Sequence, residues 1–297
     1  MTTAFDPDGG IDPESRSYRY YRNAVERHWD PADVDLDTDR EHIQRLDDPT
    51  LTRLRATLAL FGAGETAVTE DLAPLGVVLS DVNDQLFVTT QLYEEAKHAD
   101  FFDRYWSEVI NPEEARRGQE ETDPRDPKWF TDAYRELFER NDAAMHRLLD
   151  DDSPQARAEA YCHYHLTIEG ILAQTGYYGV QHSFDGSVEG VPELPGLVDG
   201  FQQIRSDEGR HVGFGMAKLK ELVDSDKVDP QELYELTTEL ALLTQRVVSG
   251  AAAEDQPGVA PSGLAAYAAR KHSERMSQIT ESSEVIPTVD ELVRVDE

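Results

Sequence analysis

The chain has one cysteine, Cys162, so no internal disulfide can form. No stretch approaches the roughly 18 apolar residues of a membrane-spanning helix. The start, Met1 to Asp12, has neither a basic residue nor an apolar run, so it does not read as a signal peptide. A soluble, cytoplasmic protein is expected. Positive charge is scarce: 28 basic residues face 60 acidic ones, a net charge of −32. That excludes the basic patch a nucleic-acid binder needs. The acids are not gathered in a tail. They alternate with spaced apolar residues, as in Trp129-Phe130 to Leu149, so the charge does not signal disorder. Lysine is scarcer still, six against 22 arginines. Such a surface is expected of a salt-loving, archaeal-type microbe, because at molar salt the screening length falls to about 3 Å. The charge then reports habitat, not a partner.

Strand signals are nearly absent as well, and 297 residues suffice for one large helical domain. Two short helical hints, Tyr18 to His28 and Arg40 to Leu46, flank a turn-like Trp29 to Asp35. Apolar periodicity then predicts helices over Leu51 to Val78, Asp81 to Ile110, Pro127 to Leu149, Ser153 to Val180, Leu197 to Val223, Pro230 to Gly250 and Pro261 to Thr280. Several begin with proline in the first turn, where its missing N–H costs nothing. The expected class is all-α, a ferritin-like four-helix bundle with additional helices. Residues 1–50 form an N-terminal arm, 51–282 the bundle and 283–297 an acidic mobile tail.

Two E-x-x-H motifs stand out, Glu95-Ala96-Lys97-His98 and Glu208-Gly209-Arg210-His211. Residues three apart share a helix face, so each pair can aim at one ion. A single E-x-x-H is usually a solvated pair. Two on long helices about 110 residues apart are harder to dismiss. A dinuclear site needs one further glutamate from each of two other helices. Glu65 is the lone charge in Leu58 to Val68, and Glu169 the lone charge in Leu166 to Ala173. A lone carboxylate in an apolar run is costly to bury without a cation. Six hard oxygen and nitrogen ligands suit iron or manganese better than zinc or copper. Such a pair, when reduced, meets dioxygen.

With these motifs the chain resembles the ribonucleotide-reductase small-subunit superfamily over roughly residues 20 to 280. The segment His28 to Asp35 is similar to the one where that family places an electron-transfer tryptophan, here Trp29. Asp207 matches the carboxylate that hydrogen-bonds both the ligand histidine and that tryptophan. Where radical-bearing members carry their tyrosine, this chain has Phe102. Their first ligand is usually aspartate; here it is Glu65. The ligand-binding oxidase branch is more similar, with a valine three residues after its first glutamate and a tyrosine five before its third, here Val68 and Tyr164. This resemblance implies manganese held by Glu65, Glu95 and His98, and iron by Glu169, Glu208 and His211, with Glu95 bridging. Two irons are the alternative. It further implies dioxygen activation, a Val68–Tyr164 ether cross-link and a bound long-chain fatty acid.

On an ideal helix Tyr164 points roughly 140° away from Glu169. A π-bulge near Thr167 to Gly170 would bring it round. Otherwise Tyr164 is a buried, hydrogen-bonded tyrosine, Val68 a core residue and Trp29 an anchor for the arm. His163 and His165, two apart, are expected on the surface or behind the ligands. The tail from Val285 has no aromatic residue to dock on a large subunit. Two rivals remain: a radical-generating reductase small subunit with a large-subunit partner, and a ferritin-like metal store. A homodimer is expected.

Overall fold

The computed structural model describes residues 10–251, 260–281 and 285–292. The reading of the extreme N-terminus, the loop before the last long helix and the parts of the acidic tail at 283–284 and 293–297 therefore falls outside the described residues. Thirteen α-helices and no strand occur among them: α1 Arg16–Glu26, α2 Asp37–His42, α3 Asp48–Asp71, α4 Ala73–Val78, α5 Val82–Tyr105, α6 Asn111–Arg116, α7 Asp132–Arg147, α8 Pro154–Tyr161, α9 Gln174–Phe184, α10 Pro195–Asp224, α11 Pro230–Ala251, α12 Pro261–Thr280 and α13 Val289–Leu292. A π-helix over Cys162–Ala173 joins α8 to α9 into one rod, and a shorter π segment, Trp106–Ile110, joins α5 to α6. No described helix is long and apolar enough to cross a membrane.

Helix starts follow side-chain chemistry. Asp47 caps α3 through the Thr50 N–H at 2.8 Å, and Asp81 caps α5 through Asn83 N–H at 2.8 Å. The start of α10 is capped from outside: the buried Asp39 of α2 accepts from Gly196 and Leu197 N–H, both at 2.8 Å. The arm thereby fixes where α10 begins. Three expectations change. The Leu51 to Val78 helix is two, because Pro74 cannot donate and restarts the chain as α4. The helix expected from Pro127 starts later, since Pro127–Trp129 is a 3-10 turn and Thr131 is the true cap. The described part of the tail packs rather than floats: Ile286 and Leu292 are buried, and Asp290 pairs with Arg27 at 3.1 Å.

The core has two apolar compartments. One holds Val68, Phe87, Tyr164 and Phe214; the other holds Leu54, Phe102, Tyr177 and Phe201. Along α3, α5, the π–α9 rod and α10, the sequence-predicted ligands fall where one compartment gives way to the other. A polar layer is thus clamped between two hydrophobic blocks, each large side chain contributing about 1.5–3 kcal/mol on burial.

Burial also strains one acid outside that layer. Asp71, near the end of α3, accepts from Asn141 Nδ2 at 2.9 Å, yet burial, helped by the Asp142 charge, pushes it up to about 6. A carboxyl raised from 3.8 to about 6 contributes stability at low pH that is lost as pH rises through that window. Asp71→Asn is therefore expected to raise the urea midpoint at pH 7 and to leave it unchanged below pH 3.8. Denaturation curves across that range at constant salt check this.

Candidate metal centre

Four elements converge on the polar layer. α3 supplies Glu65, α5 supplies Glu95 and His98, the π-helix supplies Glu169, and α10 supplies Glu208 and His211. All six are buried. His98 Nδ1 lies 3.6 Å from Glu65 Oε2, 3.5 Å from Glu95 Oε2 and 3.5 Å from Glu208 Oε1. His211 Nδ1 lies 3.1 Å from Glu95 Oε1, 3.2 Å from Glu169 Oε1 and 3.7 Å from Glu208 Oε2. Ligands bonded at about 2 Å to one ion sit roughly 3–4 Å from each other, so both groups have the right size. The six residues form two such groups, and both Glu95 and Glu208 belong to each. The family resemblance implies Glu95 alone as the shared carboxylate; the geometry places Glu208 in both groups as well.

The hydrogen bonding leaves room for ions. Nδ1 of both histidines, Glu169 Oε2 and Glu208 Oε2 are buried with no hydrogen-bond partner. Buried polar atoms without partners are costly, and a cation between them removes that cost. The other ring nitrogens are occupied: His98 Nε2 contacts Asp207 at 3.0 Å and His211 Nε2 contacts Glu94 at 2.9 Å. A carboxylate behind the imidazole aims Nδ1 inward and raises its basicity. The donor set and its surroundings thus fit a pair of hard divalent ions.

The electrostatics agree. Burial pushes Glu65 up to about 8, aided by the Glu95 and Glu208 charges, while His98 pulls the other way. Burial and the Glu208 charge lift Glu169 well above the carboxylate range. Burial would raise Glu95 too, but His211 and His98 outweigh it and hold it well below. Without cations these four carboxylates cannot all be charged at such close range.

Sequence reasoning missed Glu94, Lys97 and Arg210, although a signal was present. An acid directly precedes each E-x-x-H motif, Glu94 before Glu95 and Asp207 before Glu208. Each acid bonds the histidine of the other motif. Arg210 joins the two acids, with Nη2 donating to Asp207 at 2.5 Å and to Glu94. Gln91 was missed as well: it donates to Glu169 Oε1 at 2.9 Å and lies 3.4 Å from His165 Nε2. Both His163 and His165 are buried rather than superficial, and burial pushes them down to about 4 and about 3.

The π winding is the local distortion that the Tyr164 spacing required. Thr167 Oγ1 donates back five residues to the Cys162 carbonyl at 2.7 Å. Gly170 permits this, because a Cβ there would sit 2.7 Å from the His165 carbonyl oxygen. With this winding, the Tyr164 hydroxyl donates to Glu95 Oε1 at 2.8 Å. Burial, with the Glu169 and Glu95 charges, holds this phenol well above its usual range. Val68 lines a cavity of about 150 Å³ that also touches Glu65, Glu95, Glu169 and Glu208. Leu60 and Phe61 of α3 also line this cavity, as do Val247, Val248 and Leu264. Phe102 is buried against Phe61 and Phe201. Trp29 donates from Nε1 to Asp207 Oδ2 at 2.8 Å, and its ring stacks on His98 at 6.3 Å.

Residues 14–279 match the family described as ribonucleotide reductase, small chain. The chain belongs to that family. Among solved structures it resembles a tyrosine-to-phenylalanine variant of an R2-like ligand-binding oxidase with an aerobically reconstituted Mn/Fe cofactor. Identity is 30%, over 91% of this chain and 95% of that one, with a TM-score of 0.77. A similar variant with an anaerobically reconstituted Mn/Fe cofactor is 28% identical, over 94% and 98%, with a TM-score of 0.78. A valine-to-leucine variant, aerobically reconstituted, is 29% identical, over 91% and 95%, with a TM-score of 0.76. The helical fold and the buried carboxylate–histidine site agree with these relatives. The protein is a metal-binding oxidoreductase of this family.

Proposed function

We propose that this protein is a heterodinuclear manganese–iron oxidase acting on a long-chain fatty acid or similar lipid-like molecule. The observation that carries this reading is the largely apolar cavity ending on Glu65, Glu95, Glu169 and Glu208, with Val68 in its wall. A radical store needs no cavity at its metal centre; an oxidase needs one for its ligand. Manganese is assigned to Glu65, Glu95 and His98, and iron to Glu169, Glu208 and His211. Glu95 would be shared between the two ions, and Glu208 also belongs to both ligand groups. When bound, the pair supplies dioxygen activation.

The chain's own residues do the rest. Asp207 and Glu94 orient the two histidines. Leu60, Phe61 and Ile168 exclude water and hold the alkyl chain, leaving the ligand's carboxylate to face the metals. The Tyr164 hydroxyl has Glu95 as its acceptor. In the first turnover a Val68 C–H and the Tyr164 O–H each lose hydrogen and a carbon–oxygen bond forms. Dioxygen accepts the two electrons and two protons. The protein works in the cytoplasm as a homodimer.

The test is mass mapping after loading with manganese and iron in air. A linked peptide lighter than its Val68 and Tyr164 parents combined by two hydrogens is expected, and none in Tyr164→Phe. Two intact, separate peptides in the loaded wild type would count against the reading. A second reading, a radical-generating small subunit of ribonucleoside-diphosphate reductase, is favoured by the hydrogen-bonded chain Trp29–Asp207–His98. Reductase activity on mixing with a large subunit would select it.

A further inference from the structure

Trp29, Asp207 and His98 form a hydrogen-bonded line from the N-terminal arm to the metal layer. Lys97 touches that line at two points. The Lys97 ammonium sits 2.8 Å from Asp207 Oδ2 and 4.6 Å from the centre of the Trp29 ring, with its side chain only 3% exposed. Arg210, itself buried, pairs with Asp207 Oδ1 at 2.5 Å but also with Glu94, so Lys97 completes the match of two cations to two acids. Its place over the indole face goes beyond that match.

A carboxylate 2.8 Å from an indole N–H favours positive charge on the ring, and Asp207 alone would make Trp29 easy to oxidise. Lys97 offsets this twice. Its ammonium is attracted by the neutral ring face and repelled once the ring loses an electron. Together Lys97 and Arg210 match Asp207 and Glu94, so no unpaired anion in this set is left to hold a positive ring.

We propose that Lys97 is an electrostatic insulator that keeps Trp29 from giving up an electron, so that oxidising equivalents stay inside the bundle. Trp29 then serves as a bridge through which an electron tunnels, not as a stop where a radical rests. The step suppressed is loss of one electron from the indole to an acceptor. In the working protein that acceptor is the metal pair after it has met dioxygen, and to that extent the inference rests on the oxidase reading. Lys97 acts through Trp29 and touches no reacting atom, so it is a positioning residue.

The experiment uses an acceptor that does not depend on that reading. Full-length wild type, Lys97→Gln and Lys97→Arg are exposed to flash-generated ruthenium(III) polypyridyl, which is reduced to ruthenium(II) as it takes one electron. Peptide mapping reads oxidised Trp29, with Trp106 and Trp129 as internal references. Lys97→Gln keeps an N–H donor but no charge, and a unit charge this close predicts at least about tenfold more oxidised Trp29 relative to Trp106. Lys97→Arg is expected to match wild type. Equal Trp29 oxidation in wild type and Lys97→Gln would overturn the proposal, as would Lys97→Arg behaving like Lys97→Gln. A second measurement needs no variant. Wild type loaded with manganese and iron in air is expected to show no tryptophan radical by freeze-quench electron paramagnetic resonance, and a Trp29 radical there would also overturn it. If the loaded protein proves inert to dioxygen while the ruthenium result holds, the oxidase reading fails and the insulator stands.

Discussion

Glu208→Ala is expected to empty both metal positions, whereas Glu65→Ala is expected to empty one. Glu208 contributes to both ligand groups and Glu65 to only one. Losing even a group behind a ligand weakens metal binding about 10–100-fold, so loss of a shared ligand is expected to cost roughly a hundredfold or more at both positions. Metal analysis of each variant after loading and dialysis reads this directly. The same substitution is expected to act in the opposite sense on the metal-free chain. There Glu208 is 2% exposed, and burial together with the Glu95 charge pushes its carboxyl up. Removing that disfavoured charge is expected to stabilise the metal-free fold at neutral pH, since a carboxyl pushed up by burial and a neighbouring like charge opposes folding there. Thermal melts with and without metal should therefore cross. A variant destabilised in both states would show that Glu208 supports the fold, not the ions.

The second large effect is expected at Asp207. Its Oδ2 accepts from Trp29 and Lys97, both at 2.8 Å, and contacts His98 at 3.0 Å; its Oδ1 accepts from Arg210. Burial alone would raise this carboxyl, but His98, Arg210 and Lys97 hold it far below its usual range. Asp207→Ala strands the Lys97 ammonium inside the protein and frees the His98 ring. Breaking a buried pair from one side costs about 3–5 kcal/mol. Urea denaturation of the metal-free variant is expected to show a loss of that size. Metal titration is expected to show weakening of about 10–100-fold, concentrated at the His98 position. A loss of equal size at both positions would mean that Arg210 carries the disturbance across to Glu94 and His211.

Most of the ligand set is legible in the amino-acid sequence, because buried charge is rare and leaves a pattern. Glu65 and Glu169 stand alone in apolar runs, and Glu95, His98, Glu208 and His211 keep the three-residue spacing of one helix face. The helices are legible from the same periodicity, with errors where proline or a cap decides the boundary, as at Pro74 and Thr131. What stays hidden is cross-helix chemistry. The family resemblance implies that Asp207 serves a ligand histidine, but that this histidine is His98 of the other motif, and that Glu94 serves His211 in return, depends on the packing of α5 against α10. The role of Gly170 is likewise suggested only through the awkward spacing of Tyr164, since a π turn has no strict sequence signature.

That exchange of partners also bears on how the molecule is assembled. Each histidine is steadied by an acid from a helix that lies about 110 residues away along the chain. A newly made α5 carries Glu95 and His98 but not the carboxylate that orients His98, and α10 on its own is equally incomplete. Neither motif can act as a local nucleus that captures an ion and then gathers the chain around it, in the way small zinc domains fold on their metal. The centre is a long-range product, complete only when distant segments have closed. Ions are therefore expected to bind only after these distant segments have closed, so that the finished geometry of the site selects among them.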